Sequence, residues 1–85
     1  MRTLQNYVAR KNDWNKFFGG KPLDLNNPQD RQKIADSIDS DLSPENLTLD
    51  GERPRSQVQA LYNELTKAAQ ELKALDPSVK FYEFA

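Results

Sequence analysis

Apolar side chains at the start of the chain recur every three or four residues, which is the spacing of one helical face. That face would hold Leu4, Tyr7, Val8, Lys11, Trp14, Phe17 and Phe18. Only Lys11 interrupts it, and its methylene stem can lie along apolar neighbours. Thr3 is a suitable N-cap, and Gly19 and Gly20 before Pro22 favour a stop. The pattern predicts a first helix whose aromatic residues pack into a core.

Two further helices are predicted from the same periodicity. The second begins with Asn27 as its N-cap and Pro28 at its first position. Its narrow apolar stripe consists of Ile34, Ala35, Ile38 and Leu42. The third begins at Pro54 or Ser56 and ends at Asp76. Its stripe continues for about five turns through Val58, Leu61, Tyr62, Leu65, Ala68, Ala69, Leu72 and Leu75.

Two short segments alternate between apolar and polar positions, as strands do. After one helical turn begun at Ser43 and Pro44, residues 47–49 read Leu-Thr-Leu, and residues 79–84 form an aromatic tail. We expect these segments to pair, with one face of the tail packed on the core and the other exposed. The predicted fold class is mainly α, a three-helix domain with a small two-stranded β element (α+β), and residues 1–85 form a single domain.

The composition removes most catalytic and metal-binding groups. The 85-residue chain has neither cysteine nor histidine, so it lacks disulfides, thiolate ligands and the commonest general base. The spacing of Asp39, Asp41 and Ser43 resembles the start of a calcium loop, but Pro44 stands where that loop requires glycine. We therefore expect a protein that is not an enzyme and that binds neither a metal nor a cofactor.

Charge is distributed unevenly along the chain. Residues 1–21 have a net charge of +4, because five basic residues face one acid, whereas residues 22–52 have a net charge of −6. The acidic segment and the exposed half of the tail are the predicted partner-binding surfaces. Their candidate residues are Asp36, Asp39, Asp41, Glu45, Tyr82 and Phe84. The alternative is nucleic-acid binding through Arg2, Arg10, Lys11, Lys16, Arg53 and Arg55, although a pI near 5.3 argues against it.

Nothing in the sequence indicates a membrane protein. No apolar run approaches the roughly 18 residues of a membrane span, and the first residues lack the apolar stretch of a signal peptide. We expect a cytoplasmic protein without membrane contact. The oligomeric state stays open.

From about Asp39 to Ala85 the chain resembles small uncharacterised accessory proteins of tailed bacteriophages and prophages. The resemblance is carried by the run DLSPENLTLDGE, the helix RSQVQALYNELTKAAQELKALDP and the end SVKFYEFA. It implies a protein that binds and modulates, by inhibition, a host protein or defence complex in the host cytoplasm. The alternatives are a small nucleic-acid-associated regulator and a virion or assembly component that self-associates through the long helix.

Overall fold

The computed structural model describes residues 2–48 and 54–83, and this part of the chain is mainly helical. Its helices are α1 (Arg2–Phe17), α2 (Pro28–Leu42), α3 (Pro44–Thr48) and α4 (Arg55–Leu75). The three long helices lie where the apolar periodicity predicts them. Thr3 is inside α1 rather than its N-cap, because α1 already includes Arg2. No helix in the described ranges is both long and apolar enough to cross a membrane.

Local chemistry sets the start of α2 and the end of α1. The side-chain oxygen of Asn27 accepts a hydrogen bond from the backbone N–H of Gln29 at 3.0 Å, and Pro28 occupies the first helical position. Gly19 follows the last turn of α1 with a φ of +77°, a left-handed conformation that glycine adopts without strain. These signals separate the two helices by a short connector.

Helices α1, α2 and α4 meet around one apolar core. Its largest fully buried side chains are Leu4, Ile34, Ile38, Leu65 and Leu72. α1 and α4 run antiparallel, because Arg10 forms an ion pair with Glu64 of α4 while the backbone of Leu4 bonds the side chain of Glu71. Removal of these apolar side chains from water is the main contribution to the stability of the fold.

The predicted two-stranded β element is wrong, beginning with its first strand. α3 continues through Leu47 and Thr48, and Leu49 lies outside the described residues. The helical turn already directs the Leu47 side chain into the core. Leu47 is therefore buried by one more turn of helix. A strand at this position would have needed a second strand to pair with.

The tail, residues 79–83, is not a strand either. The N–H of Val79 donates to the carbonyl of Asp76 at 3.2 Å, which closes a turn, and beyond Val79 the tail backbone bonds to side chains of α2. The Gln32 amide donates to the carbonyl of Lys80 at 3.1 Å, and the Gln32 oxygen accepts from the backbone N–H of Lys80 at 3.0 Å. Asp39 accepts two more backbone N–H groups of the tail. The tail is consequently held along α2, with no second strand beside it in the described part of the chain.

Candidate functional site

Three aromatic side chains at the C-terminal end of α1 face solvent. Trp14, Phe17 and Phe18 are 62%, 82% and 67% exposed, so the prediction that they pack into the core is wrong. They form an aromatic cluster, in which the Phe18 ring lies edge-on to Trp14 and Phe17 with centroid distances of 4.9 and 5.3 Å. At roughly 150–250 Å² per side chain, the cluster presents on the order of 400 Å² to water. Patches of this size on monomers are often functional.

The aromatic cluster is exposed because α2 ends too early to cover it. Tyr7 is buried, and its hydroxyl reaches Asp41 near the end of α2. α2 stops one residue later, at Leu42, and the chain turns into α3. Trp14 lies about two helical turns beyond Tyr7. The last part of α1 therefore extends past the apolar stripe of α2 that closes the core.

An open groove lies beside the aromatic cluster. It encloses about 330 Å³ and is lined by Tyr7, Arg10, Lys11, Trp14, Asp41, Asn46, Leu61 and Leu65. Leu61 of α4 and Trp14 of α1 supply its exposed apolar surface. Arg10 and Lys11 place two cationic groups among the lining residues. A concave, largely apolar site with a few polar groups is typical of binding sites.

A network of polar groups stabilises one side of the groove. The Tyr7 hydroxyl donates to Oδ2 of Asp41 at 2.8 Å and lies 2.8 Å from Oγ of Ser37. Nζ of Lys11 lies 2.9 Å from the same Asp41 oxygen. Burial raises the pKa of the Tyr7 phenol far above its usual value, and the Asp41 carboxylate raises it further. The Tyr7 hydroxyl thus stays protonated. It acts as a hydrogen-bond donor and positions the Asp41 carboxylate, which accepts.

Asp39 and Asp41, two of the four predicted acidic residues, are fully or partly shielded from solvent and bonded to other elements of the protein. Asp39 is only 7% exposed, and its carboxylate accepts the backbone N–H groups of Tyr82 at 2.7 Å and Glu83 at 3.2 Å. Asp41 belongs to the polar network beside the groove. Both carboxylates therefore have roles in holding the fold together.

The remaining predicted partner-binding residues belong to three elements of the chain. Asp36 and Glu45 are exposed, on α2 and α3 respectively. Tyr82 is 81% exposed on the tail, and Phe84 lies outside the described residues. The Gln32 amide donates both to Oδ1 of Asp36 at 3.0 Å and to the carbonyl of Lys80, so Asp36 lies beside the tail that carries Tyr82.

The basic residues predicted to meet nucleic acid are also divided. Arg2 and Lys16 stand near opposite ends of α1, roughly 20 Å apart at 1.5 Å per residue. Arg10 is ion-paired with Glu64, and Lys11 is ion-paired with an acid of α2. No single face of α1 presents all four cations.

Positive charge is nevertheless concentrated at the end of α1. Lys16 and Lys21 are exposed and form no ion pair with any described residue. Arg55 is exposed at the start of α4, which is the same end of the antiparallel pair. Arg53 lies outside the described residues. Exposed cations and exposed aromatic rings thus share one region.

Sequence reasoning missed the groove and the aromatic cluster, although one signal was present. The apolar stripe of α1 spans residues 4–18, about 21 Å, whereas that of α2 spans residues 34–42, about 12 Å. A three-helix core closes only where all three faces are present. The excess length of the α1 stripe, rather than any motif, indicated an exposed apolar end.

Comparisons with known proteins give no family for this chain. The sequence matches no family model, and neither the curated proteins nor the solved structures contain a significant match. Within residues 2–48 and 54–83, no cluster of carboxylates has the geometry to hold a metal ion. The function must therefore be argued from the surface that the fold creates.

Proposed function

We propose that this chain is a non-enzymatic accessory protein, of the phage type that its C-terminal half resembles, which binds and inhibits a host protein through the aromatic cluster. The exposure of Trp14, Phe17 and Phe18 carries this proposal. Large aromatic side chains are enriched among the anchors of protein interfaces. The isolated chain gains little stability from apolar rings that remain in water.

The arrangement of the rings supports the proposal. Edge-to-face contacts on both sides of Phe18 hold the cluster together before any partner arrives. Less side-chain entropy is then lost on binding than for separate, freely rotating rings. The exposed aromatic area is smaller than the roughly 800 Å² per partner of a standard interface. The cluster would therefore form the centre of a contact whose rim is polar.

Affinity capture from a bacterial lysate with Phe17→Ser tests the proposal, and Tyr82→Ser is a matched control. Phe17 and Tyr82 are almost equally exposed, at 82% and 81%, but lie on different elements. The wild-type chain and Tyr82→Ser should retain one host protein in stoichiometric amount. Phe17→Ser should reduce its recovery at least tenfold, because it removes an interface anchor. Circular dichroism should show equal helix content in all three chains.

The same experiment can contradict the proposal in three ways. Equal recovery with both variants would show that the aromatic cluster is not the contact surface. Loss of binding with Tyr82→Ser alone would place the interface on the tail. Failure of the wild-type chain to retain any stoichiometric protein would contradict host-protein binding itself.

A second candidate function, nucleic-acid binding, gains support from one observation. Exposed aromatic rings near Lys16 and Lys21 have the chemistry of a stacking platform for unpaired bases. Titration with a single-stranded oligonucleotide should then show binding at low salt that weakens steeply as salt increases. Lys16→Glu/Lys21→Glu should abolish it. Absence of binding at low salt would exclude this candidate.

A further inference from the structure

We infer that the groove accepts a bulky apolar side chain from an acidic segment of the partner protein, and that the aromatic cluster packs on the same segment. This inference rests on the proposed function, because it specifies the chemistry of the partner that the proposed function leaves open. The shape of the groove and the local charge support it independently.

The shape of the groove favours an inserted side chain. Leu61 contributes apolar surface from α4, and Trp14 contributes it from α1. The enclosed volume of about 330 Å³ is near the lower limit of small-molecule sites. A bilayer surface or a stack of bases presents a broad face that would leave this concave space unfilled. An apolar side chain projecting from a peptide backbone would enter it.

The charge around the groove favours an acidic segment. Residues 10–21 have a net charge of +3 in a chain whose net charge is −1, and two of their four cations, Arg10 and Lys11, are already ion-paired with Glu64 and Asp41. The basic residues of this stretch are Arg10, Lys11, Lys16 and Lys21, and its acid is Asp13. Lys16 and Lys21 are exposed and have no ion-pair partner among the described residues. Carboxylates flanking the apolar anchor would complement them, whereas a symmetric contact between two copies of this surface would place like charges together.

Trp14 is the only tryptophan in the sequence, so its fluorescence reports on this surface directly. The test uses two tryptophan-free amphipathic peptides of roughly 15 residues, about four helical turns. They share the same Leu and Phe anchors, and differ in having Glu or Lys at the flanking positions. The Glu peptide should shift Trp14 emission to shorter wavelength in a saturable manner. The Lys peptide should bind at least tenfold more weakly.

Charge-reversal variants identify the cations that cause the preference. Lys16→Glu/Lys21→Glu should reverse the order of the two peptides. Lys73→Glu/Lys80→Glu makes the same change in net charge at exposed positions away from the groove, and should leave the order unchanged. Higher salt should weaken binding of the Glu peptide to the wild-type chain, because exposed charges are screened.

The outcomes separate this inference from the proposed function. Equal affinity for both peptides, or an unchanged order in Lys16→Glu/Lys21→Glu, would overturn the inference, while host capture that depends on Phe17 would leave the proposed function standing. If the chain prefers the Glu peptide but captures no host protein, the inference about the groove would stand and the proposed function would be contradicted. The remaining outcome is that Trp14 emission shifts more with anionic vesicles, with single-stranded DNA or with increasing concentration of the chain itself than with the Glu peptide. Such a result would overturn the inference and identify a membrane, a nucleic acid or a second copy as the occupant.

Discussion

The two ends of α1 carry similar apolar side chains but differ in burial. Near the N-terminal end Leu4 is fully buried in the core, whereas at the C-terminal end Phe17 is 82% exposed. The neighbouring elements account for the difference: α2 and α4 both contribute to the core around Leu4, and α2 stops before the last turns of α1. An apolar helix face is therefore a core only where other elements cover it, and its uncovered part is available to a partner.

The polar groups show the same division. Along α2, Gln32 and Asp39 bond the backbone of the tail, and Arg31 forms a 3.4 Å ion pair with Asp76. At the exposed end of α1, Lys16 and Lys21 make no ion pair with the described residues. Polar groups that are bonded internally hold the fold together, while Lys16 and Lys21 leave a positive charge that the proposed partner would complement.

The largest expected effect comes from truncating equivalent apolar residues at the two ends of α1. Leu4→Ala should lower the free energy of unfolding by about 2–5 kcal/mol, because it removes a fully buried side chain and leaves a cavity. Phe17→Ala should change it by no more than about 0.5 kcal/mol. Chemical denaturation of both variants measures the difference. Similar losses would mean that the C-terminal end of α1 is also part of the core.

The next effect concerns the two acids on α2 that differ most in burial. Asp39→Ala should lower the free energy of unfolding by about 1–3 kcal/mol, because two tail N–H groups lose their acceptor. Asp36→Ala, at an exposed position, should change it by less than about 0.5 kcal/mol. Faster hydrogen exchange at Tyr82 and Glu83 in Asp39→Ala would confirm the cause, and an unchanged exchange rate would contradict it.

A smaller effect is expected at alkaline pH from Tyr7, which lies between the buried and exposed parts of α1. Its pKa is raised in the folded chain, so its contribution to stability is present below the unfolded value of about 10 and is lost as pH rises further. The wild-type chain should therefore lose stability more steeply above about pH 10 than Tyr7→Phe does. Tyr82→Phe, at an exposed position, should retain the wild-type slope.

The smallest effect is expected at Asp76, after the end of α4. The hydroxyl and the backbone N–H of Ser78 donate to Oδ1 of Asp76 at 2.5 and 3.0 Å, and these bonds lower the pKa of Asp76. The stabilisation is present above the unfolded pKa of about 4 and is lost as pH falls through the lowered folded value. Ser78→Ala should raise the pKa of Asp76 in an NMR titration. An unchanged titration would assign the shift to Arg31 instead.

The sequence by itself determined where α1 ends and where α2 begins. Asn27 and Pro28 act within one turn, and Gly19 needs only its own backbone freedom, so these signals can be recognised without knowledge of the fold. The absence of cysteine and histidine likewise excludes thiolate and imidazole chemistry in any conformation.

Only the tertiary structure decided which parts of the apolar pattern become core. Tyr7 and Trp14 belong to the same helical stripe, yet one is buried and the other is 62% exposed, because α2 ends between the levels of the two side chains. Residues 79–83 alternate as a strand would, yet their backbone bonds to Asp39 and Gln32, more than 40 positions away. Local spacing specifies a face, whereas contacts across the chain specify what covers it.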